Sequence, residues 1–410
     1  MHILFATYWY LPHVGGVNTY INVLRKELLK IGHQVDVLAH HTPKNDKIYM
    51  LTTGQYIDKA KIKDVVYKEV YAYYDHYHPY VEDWIRWREI ERYTFELAAP
   101  LFDLDQYDII HTQDIVSTRA LSRVKPKHVP LVATIHGLLA TEHVHAGDIP
   151  SKRSQRWAYV LAEEYYGAVS ADQTIVPTNW LKRQLSHRSI GVPRQAMKTI
   201  HYGMDIDGFL ERFHSQESIS YPQREKGKTV FICPARLVPV KGHRYLLEAL
   251  ALLKRVRQDF TCWIVGDGKL FNELQTLAQQ LNLQDVVLFL GNRNDVPQLL
   301  AKSDVLVLPS VQDNHPFSIM EAQVAGKLVV ASTAGGIPEM VRHGVTGYLF
   351  PPKNSHALAK TLHYVLSHPR QSKQVAQRGM IWGKRHWSPK TLLHNTMKIY
   401  RQALASVGRR

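Results

Sequence analysis

Four side chains in the second half of the chain have the types and spacing to hold a charged leaving group and a polyol. They are Arg236 and Lys241 in CPARLVPVKGHRYLLEAL, and Asp313 and Glu321 in SVQDNHPFSIMEAQVAGKLVVAS. A planar guanidinium fork and a mobile ammonium five residues apart suit a diphosphate, where negative charge grows as a sugar departs. Both follow an apolar, strand-like run, the place where parallel sheets hold ligands. The plainer reading is a pair of solvated surface charges. Asp313 falls in a polar turn and Glu321 about one turn inside the helix that follows. Asn314 can cap that helix and Pro316 fits its first position, so that Phe317, Ser318 and Ile319 present backbone N–H groups to an anion. A carboxylate at Glu321 suits a vicinal diol such as ribose; Ala322, Val324 and Ala325 make the helix look buried, and a buried acid needs a partner.

Other candidates are distributed along the chain. In VATIHGLLATEHVHAG, His136 sits at a strand end, where neutral imidazole can donate to or accept from a substrate hydroxyl. His143 and His145 read as loop residues; a metal site from these histidines lacks an accompanying Asp, Glu or Cys set. In LPHVGGVNTYINVLRKELL, Gly15 and Gly16 come between a strand and an amphipathic helix, so the helix start could meet a phosphate or simply form a tight turn. Gly266, Gly268 and Gly291 allow sharp turns at two successive strand ends, and Asn292 to Asp295, with Arg293 among them, lie beside these turns. Such turns could hold a nucleotide base or be ordinary strand-to-helix loops. YAYYDHYHPYVEDWIRWREIERYTF is dense in aromatics, and Tyr74, Tyr77 and Trp84 are candidate acceptor contacts because aromatic faces stack on sugar rings; core packing explains them equally well.

These residues need a frame, and the apolar runs supply one. HILFAT, QVDVLAH, DIIHT, PLVATIH and DQTIVPT alternate with helical-length segments, and TVFICPA, FTCWIVG, VVLFLG, DVLVLP and KLVVAS repeat the rhythm. The alternation predicts an α/β chain with two doubly wound, Rossmann-like lobes. The seam is expected within residues 203–228, which are polar and lack a sustained period, giving lobes at 1–205 and 206–387. From Ser388 and Pro389, a helix start, the tail to about 410 reads as a closing helix.

Bulk composition narrows the class. A length of 410 residues exceeds a usual single core, and 45% apolar with 21% charged residues is ordinary globular composition. The formal charge of +15 favours anionic partners, but no helix-turn-helix, zinc-finger or RNP-like pattern supports nucleic acid. Cys233 and Cys262 lie in apolar runs and read as buried thiols in a reducing, cytoplasmic setting. MHILFATYWYLPHVGG reads as a first strand rather than a leader, and no run reaches the length of a membrane span.

Taken in order, GG near the start, IHG, VPTNW, ARLVPVKG, GDG, D-x7-E, AGGIPE and GVTGYLFPP resemble the retaining nucleotide-sugar glycosyltransferases of family 4 over nearly the whole chain. The resemblance implies the GT-B fold, with two lobes facing a central cleft and a C-terminal helix crossing back to the first. It implies a nucleotide diphosphate sugar as donor, no cofactor and no metal. Arg236 and Lys241 would hold the diphosphate, Glu321 the ribose hydroxyls and Asp313 the sugar. His136 would contact the sugar from the first lobe, and Gly15 and Gly16 would close on the phosphates. Gly266, Arg293, Asn314, Phe317, Ser318 and Ile319 would complete the donor site, and Tyr74, Tyr77 and Trp84 the acceptor side. In this family the departing phosphate is thought to take the acceptor proton on the same face of the sugar. The chain departs from the pattern at Asp313, where Glu is commoner, and at Pro316, where Gly is commoner and an N–H is lost. The expected acceptor is a lipid-linked or cell-surface glycan, with peripheral contact at the anionic inner membrane face. A soluble small-molecule acceptor is the main rival, followed by a silent nucleotide-sugar-binding adaptor.

Overall fold

The computed structural model describes residues 1–13, 15–41, 46–215, 222 and 225–407. The chain divides into two compact units, Met1–Tyr202 with Pro389–Arg410, and Gly203–Ser388. In the first unit the strands are β1 (His2–Tyr10), β2 (Gln34–His40), β3 (Lys47–Met50), β4 (Tyr56–Asp58), β5 (Ile109–Thr112), β6 (Leu131–Thr134), β7 (Gln173–Val176) and β8 (Met197–Thr199). They form one sheet in the order β4-β3-β2-β1-β5-β6-β7-β8. From β2 to β8 every pairing is parallel, with Ile3 opposite both Val35 and Ile109. Burial on both faces explains why these runs are continuously apolar rather than alternating. The antiparallel pair β3 and β4 extends the edge. The apolar rhythm gave no sign of these short, polar-flanked strands.

The helix Pro389–Val407 buries Leu392, Thr396, Ile399, Tyr400 and Ala403, and it belongs to the first unit. Its Tyr400 hydroxyl lies 2.8 Å from His111 Nδ1, at the middle of the sheet. That bond pins the chain's last helix to the strand next to β1.

The second unit contains β9 (Thr229–Pro234), β10 (Phe260–Val265), β11 (Val287–Phe289), β12 (Val305–Leu308), β13 (Leu328–Ser332) and β14 (Tyr348–Phe350). All pair in parallel in the order β11-β10-β9-β12-β13-β14. The helix His243–Lys254 shows how the crossovers close on this sheet: Leu246, Leu247, Leu250 and Leu253 fall on one stripe and are buried. Cys233 and Cys262 are buried in the same core, and burial pushes the Cys233 thiol up to about 12. Both are packing residues.

Two local expectations need correction. The segment expected to lack periodicity includes a helix, Ile206–His214, capped by the Asp205 carboxylate on the Gly208 N–H at 3.4 Å. Ile206, Phe209, Leu210 and Phe213 have helical spacing, and Phe209 is buried; polar neighbours masked that stripe. The rest of that seam at residues 216–221 and 223–224 lies outside the described residues. His143 and His145 are not in a loop but on the helix Leu139–Ala146, which Gly147 ends at φ 88°. The Glu164 carboxylate, from another helix, accepts from the Ala140 N–H at 2.9 Å and supports its first turn.

Candidate active site

In the second unit, the loops at the carboxyl ends of neighbouring strands are tied to one another in sheet order. Gly266 N–H, after β10, donates to Gly291 O, after β11, at 2.8 Å, while Leu237 N–H, after β9, donates to Asp267 O at 2.9 Å. Val311 N–H, after β12, donates to Val240 O at 2.7 Å, and Gly336 N–H, after β13, donates to Asp313 O at 3.0 Å. Such approach leaves no room for side chains at the crossings. A Cβ on Gly242 (φ 70°) would lie 2.1 Å from Pro309 O, and one on Gly335 (φ 60°) would lie 1.7 Å from Asp313 O. Gly266 has the same constraint, with Ala235 O 2.2 Å from the position of a Cβ. The glycines of KG, GDG and AGGIPE are therefore contact points between adjacent loops.

This stitching brings together two of the side chains singled out above, Lys241 and Asp313. Lys241 Nζ donates to Asp313 Oδ2 at 2.6 Å, and Ser310 Oγ donates to the same oxygen at 3.1 Å. The residues expected to serve the diphosphate and the sugar thus form a closed ion pair. Arg236 is exposed and makes no side-chain hydrogen bond or ion pair among the described residues. Arg293 lies beyond β11 in a two-pronged pair with Asp295, at 2.7 Å from Nε and 2.6 Å from Nη2.

The helix after Asp313 runs Phe317–Val324, with Pro316 as its N-cap residue and no side-chain cap bond. The expected cap at Asn314 and first helical position at Pro316 are thus both shifted: the extended Pro316 (φ −68°, ψ 125°) closes the loop, and the helix begins one residue later. Phe317, Ser318 and Ile319 form its first turn, where Ile319 N–H turns back to Pro316 O at 3.2 Å. Glu321 follows on the same helix. Its carboxyl has no hydrogen-bond or ion-pair partner among the described residues. Burial pushes it up to about 7, against the weaker opposing pull of Arg212. A half-buried acid without a hydrogen-bond partner among the described residues is a group prepared for hydroxyl donors that a ligand would bring.

The first unit holds the remaining candidates. His136 follows β6 with both ring nitrogens engaged: Nδ1 lies 2.5 Å from the Tyr202 hydroxyl and Nε2 lies 3.3 Å from Gln113 Oε1. With Gln113 Oε1 as acceptor, Nε2 carries the proton and Nδ1 accepts from Tyr202. Burial pushes the imidazole down to about 3, so it is neutral. Gly15 is extended and precedes a helix, Gly16–Lys30, that has no side-chain cap and no acid in its first turn. A Cβ on Gly15 would lie 2.8 Å from His13 Nε2.

Tyr74, Tyr77 and Trp84 do not share one surface cluster. Tyr74 packs on Val66, Val70 and Ile90, whereas Tyr77 is 63% exposed. Trp84 packs in a separate cluster with Ala140, Ile149 and Val160, its ring near the guanidinium groups of Arg88 and Arg156 at 5.2 and 5.5 Å. His143 completes that cluster, bonded to Asp148 at 2.8 Å. Gln113, Tyr202 and Ser310, which hold His136 and Asp313, were not foreseen; the first two lie far from His136 in sequence and carry no motif. Among the described residues, no group of three or more His, Cys, Asp or Glu could hold a metal ion.

Comparison with known proteins gives the family and the fold. Residues 14–207 match the model described as Glycosyltransferase Family 4, and residues 215–382 match the model described as Glycosyl transferases group 1. The chain belongs to the family 4-like glycosyltransferases of the GT-B fold. An uncharacterised glycosyltransferase of Methanocaldococcus jannaschii is 26% identical over 100% of both chains. The UDP-Gal:alpha-D-GlcNAc-diphosphoundecaprenol alpha-1,3-galactosyltransferase of Escherichia coli is 28% identical over 61% of this chain and 64% of its own. Among solved structures, sucrose-phosphate synthase from Thermosynechococcus elongatus superposes with a TM-score of 0.76 at 20% identity, covering 99% of each chain. Anabaena HepE in complex with UDP and glucose gives 0.67 at 21% identity, covering 98% of this chain and 100% of its own.

Proposed function

We propose that the protein transfers a hexose from a nucleotide diphosphate sugar to an acceptor hydroxyl with retention at the anomeric carbon and without a metal. The observation that supports this most directly is the stitched set of loops that carries Arg236, Lys241 and Asp313, with an unpartnered Glu321 on the next helix. Arg236 and Lys241 stabilise the diphosphate as the C1–O bond breaks, Glu321 accepts from the ribose hydroxyls, and Asp313 accepts from the sugar. Phe317 and Ser318 offer N–H groups, and Gly266, Arg293, Asn314 and Ile319 complete the surroundings of the nucleotide; His136, Gly15 and Gly16 are the candidates of the first unit. The acceptor oxygen bonds to C1 on the face the diphosphate leaves, and its proton passes to the departing phosphate. UDP in the HepE structure and UDP-Gal in the E. coli relative's name support a nucleotide-sugar donor.

For the acceptor we assign a lipid-linked glycan, as the same relative's name suggests, met at the cytoplasmic face of an anionic membrane. The charge of +15 and the exposed Tyr77 and Tyr80 support peripheral contact. No helix among the described residues is long and apolar enough to cross a membrane. The test is a panel of UDP-, GDP- and ADP-hexoses, incubated in chelator with lipid-linked or soluble acceptors, the product's anomeric configuration being read by NMR. Transfer with retention is expected. Inverted product or a metal requirement overturns the mechanism, while binding without turnover on any acceptor identifies an adaptor.

A further inference from the structure

We infer that Ser310 is a positioning residue that holds one oxygen of Asp313 when the donor draws Lys241 away, leaving the other oxygen for the sugar; this rests on the function proposed above. Asp313 Oδ2 accepts from both Lys241 Nζ at 2.6 Å and Ser310 Oγ at 3.1 Å. The backbone around Asp313 has little freedom. Val311 N–H and Gln312 N–H both point to Val240 O, at 2.7 and 3.3 Å, and Gly336 N–H holds Asp313 O at 3.0 Å. Ser310 itself is fixed from the neighbouring strand, because Ser332 Oγ donates to its carbonyl at 2.5 Å and both serines are fully buried. What remains free is the Asp313 side chain.

A diphosphate competes with Asp313 for the lysine, since each is an anion and Lys241 is a single point charge. Once that exchange occurs, an unheld carboxylate could rotate about its two side-chain bonds. The Ser310 hydroxyl prevents this by keeping Oδ2, so Oδ1 stays directed to one place. An Asp, shorter than Glu and with fewer rotamers, needs only this one restraint.

The experiment compares Ser310→Ala with Ser310→Thr, which keeps the hydroxyl. Loss of one hydrogen bond to a charged group is expected to lower kcat for sugar transfer about tenfold in Ser310→Ala, with most of the rate returning in Ser310→Thr. Affinity for free nucleoside diphosphate should change less than about twofold, because that ligand lacks the sugar. In an Asp313→Asn background, Ser310→Ala should add nothing, since the two act as one unit. A wild-type rate in Ser310→Ala, or equal losses in nucleotide affinity and rate, overturns the inference while leaving the transferase assignment standing. Should the wild type transfer no hexose at all, the assignment fails instead. The positioning role is then read from the Asp313 carboxyl carbon by NMR as inorganic diphosphate is added. A chemical-shift response to diphosphate that is equal in wild type and Ser310→Ala refutes it.

Discussion

The two units place their candidate residues by different means. In the second unit Arg236, Lys241 and Asp313 lie just beyond strands, and backbone bonds between adjacent loops, permitted by Gly242, Gly266 and Gly335, set the distances. In the first unit His136 is held by side chains, Tyr202 and Gln113, that lie 66 and 23 residues away. A site held by backbone tolerates side-chain change but not added volume. A site held by side chains fails in the opposite way. The largest predicted effect sharpens the first half of that contrast: Lys241→Ala should lower kcat about 10²–10³-fold, the loss expected for one group that stabilises a leaving charge. Circular dichroism should show the fold retained, and because the pair it breaks is only 18% and 11% exposed, the rate is compared well below the variant's lowered melting temperature. A rate within threefold of wild type would remove Lys241 from its role.

The second prediction attempts to break the backbone half of the comparison. Gly335→Ala should destabilise the second unit by about 2–4 kcal/mol, combining left-handed strain with a collision between Cβ and Asp313 O. Gly344 separates the two causes, since its φ is 70° but nothing lies within 4 Å of a Cβ there. Gly344→Ala should therefore cost about 1 kcal/mol, the strain alone. Equal melting temperatures for the two variants would show that the loop crossing is looser than drawn. The matching test in the first unit is Gln113→Ala, which removes one restraint from the neutral His136. It should lower kcat/KM about fivefold to tenfold without altering the fold, as loss of one hydrogen bond does.

This contrast also explains what could be read from the sequence. The central strands of both sheets were legible because parallel strands buried on two faces must be continuously apolar, whereas the short strands β3, β4, β8 and β14 toward the sheet edges were not. Lys241, Asp313 and the AGG turn were legible because each is adjacent to such a run. Ser310 was in the quoted stretch yet gave no signal, since a serine at a strand end is common and its partner was fixed only by folding. The helix Asp83–Ala98 was harder still. Its WREIERYTFE suggests a solvated face, but Glu89, Arg92 and Glu96 are buried, with Arg92 Nη1 2.6 Å from Glu96 and the Tyr159 hydroxyl 2.6 Å from Glu89. Arg92 pairs with Glu89 and Glu96 within the helix as surface charges do, and only the residues packed over them from other helices, Arg119, Arg123 and Tyr159, distinguish the buried set. Burial alone would push Glu89 up, yet Arg92 and its other partners hold it below the ordinary range.

Glu321 differs from Glu89 in having no such partner, and this gives the smallest and most specific prediction. Its carboxyl is raised by burial to about 7 in the folded protein, against an ordinary value near 4.5. The folded state therefore binds the proton more tightly than the unfolded chain does. The sign follows from linkage: Glu321 favours folding most below the ordinary value, and this contribution is lost as pH rises from about 4.5 through 7. Glu321→Gln should flatten that part of the stability profile, measured by urea unfolding at a series of pH values. Nucleotide binding should run the other way, because the ionised carboxylate is the better acceptor for ribose hydroxyls. Affinity for free nucleoside diphosphate should rise severalfold from pH 6 to 8 in the wild type and be nearly flat, and weaker by about tenfold at pH 8, in Glu321→Gln. If the stability slope disappears but the binding slope persists, Glu321 is a half-buried acid that the nucleotide does not touch, and the ribose contact must be sought elsewhere on the unit.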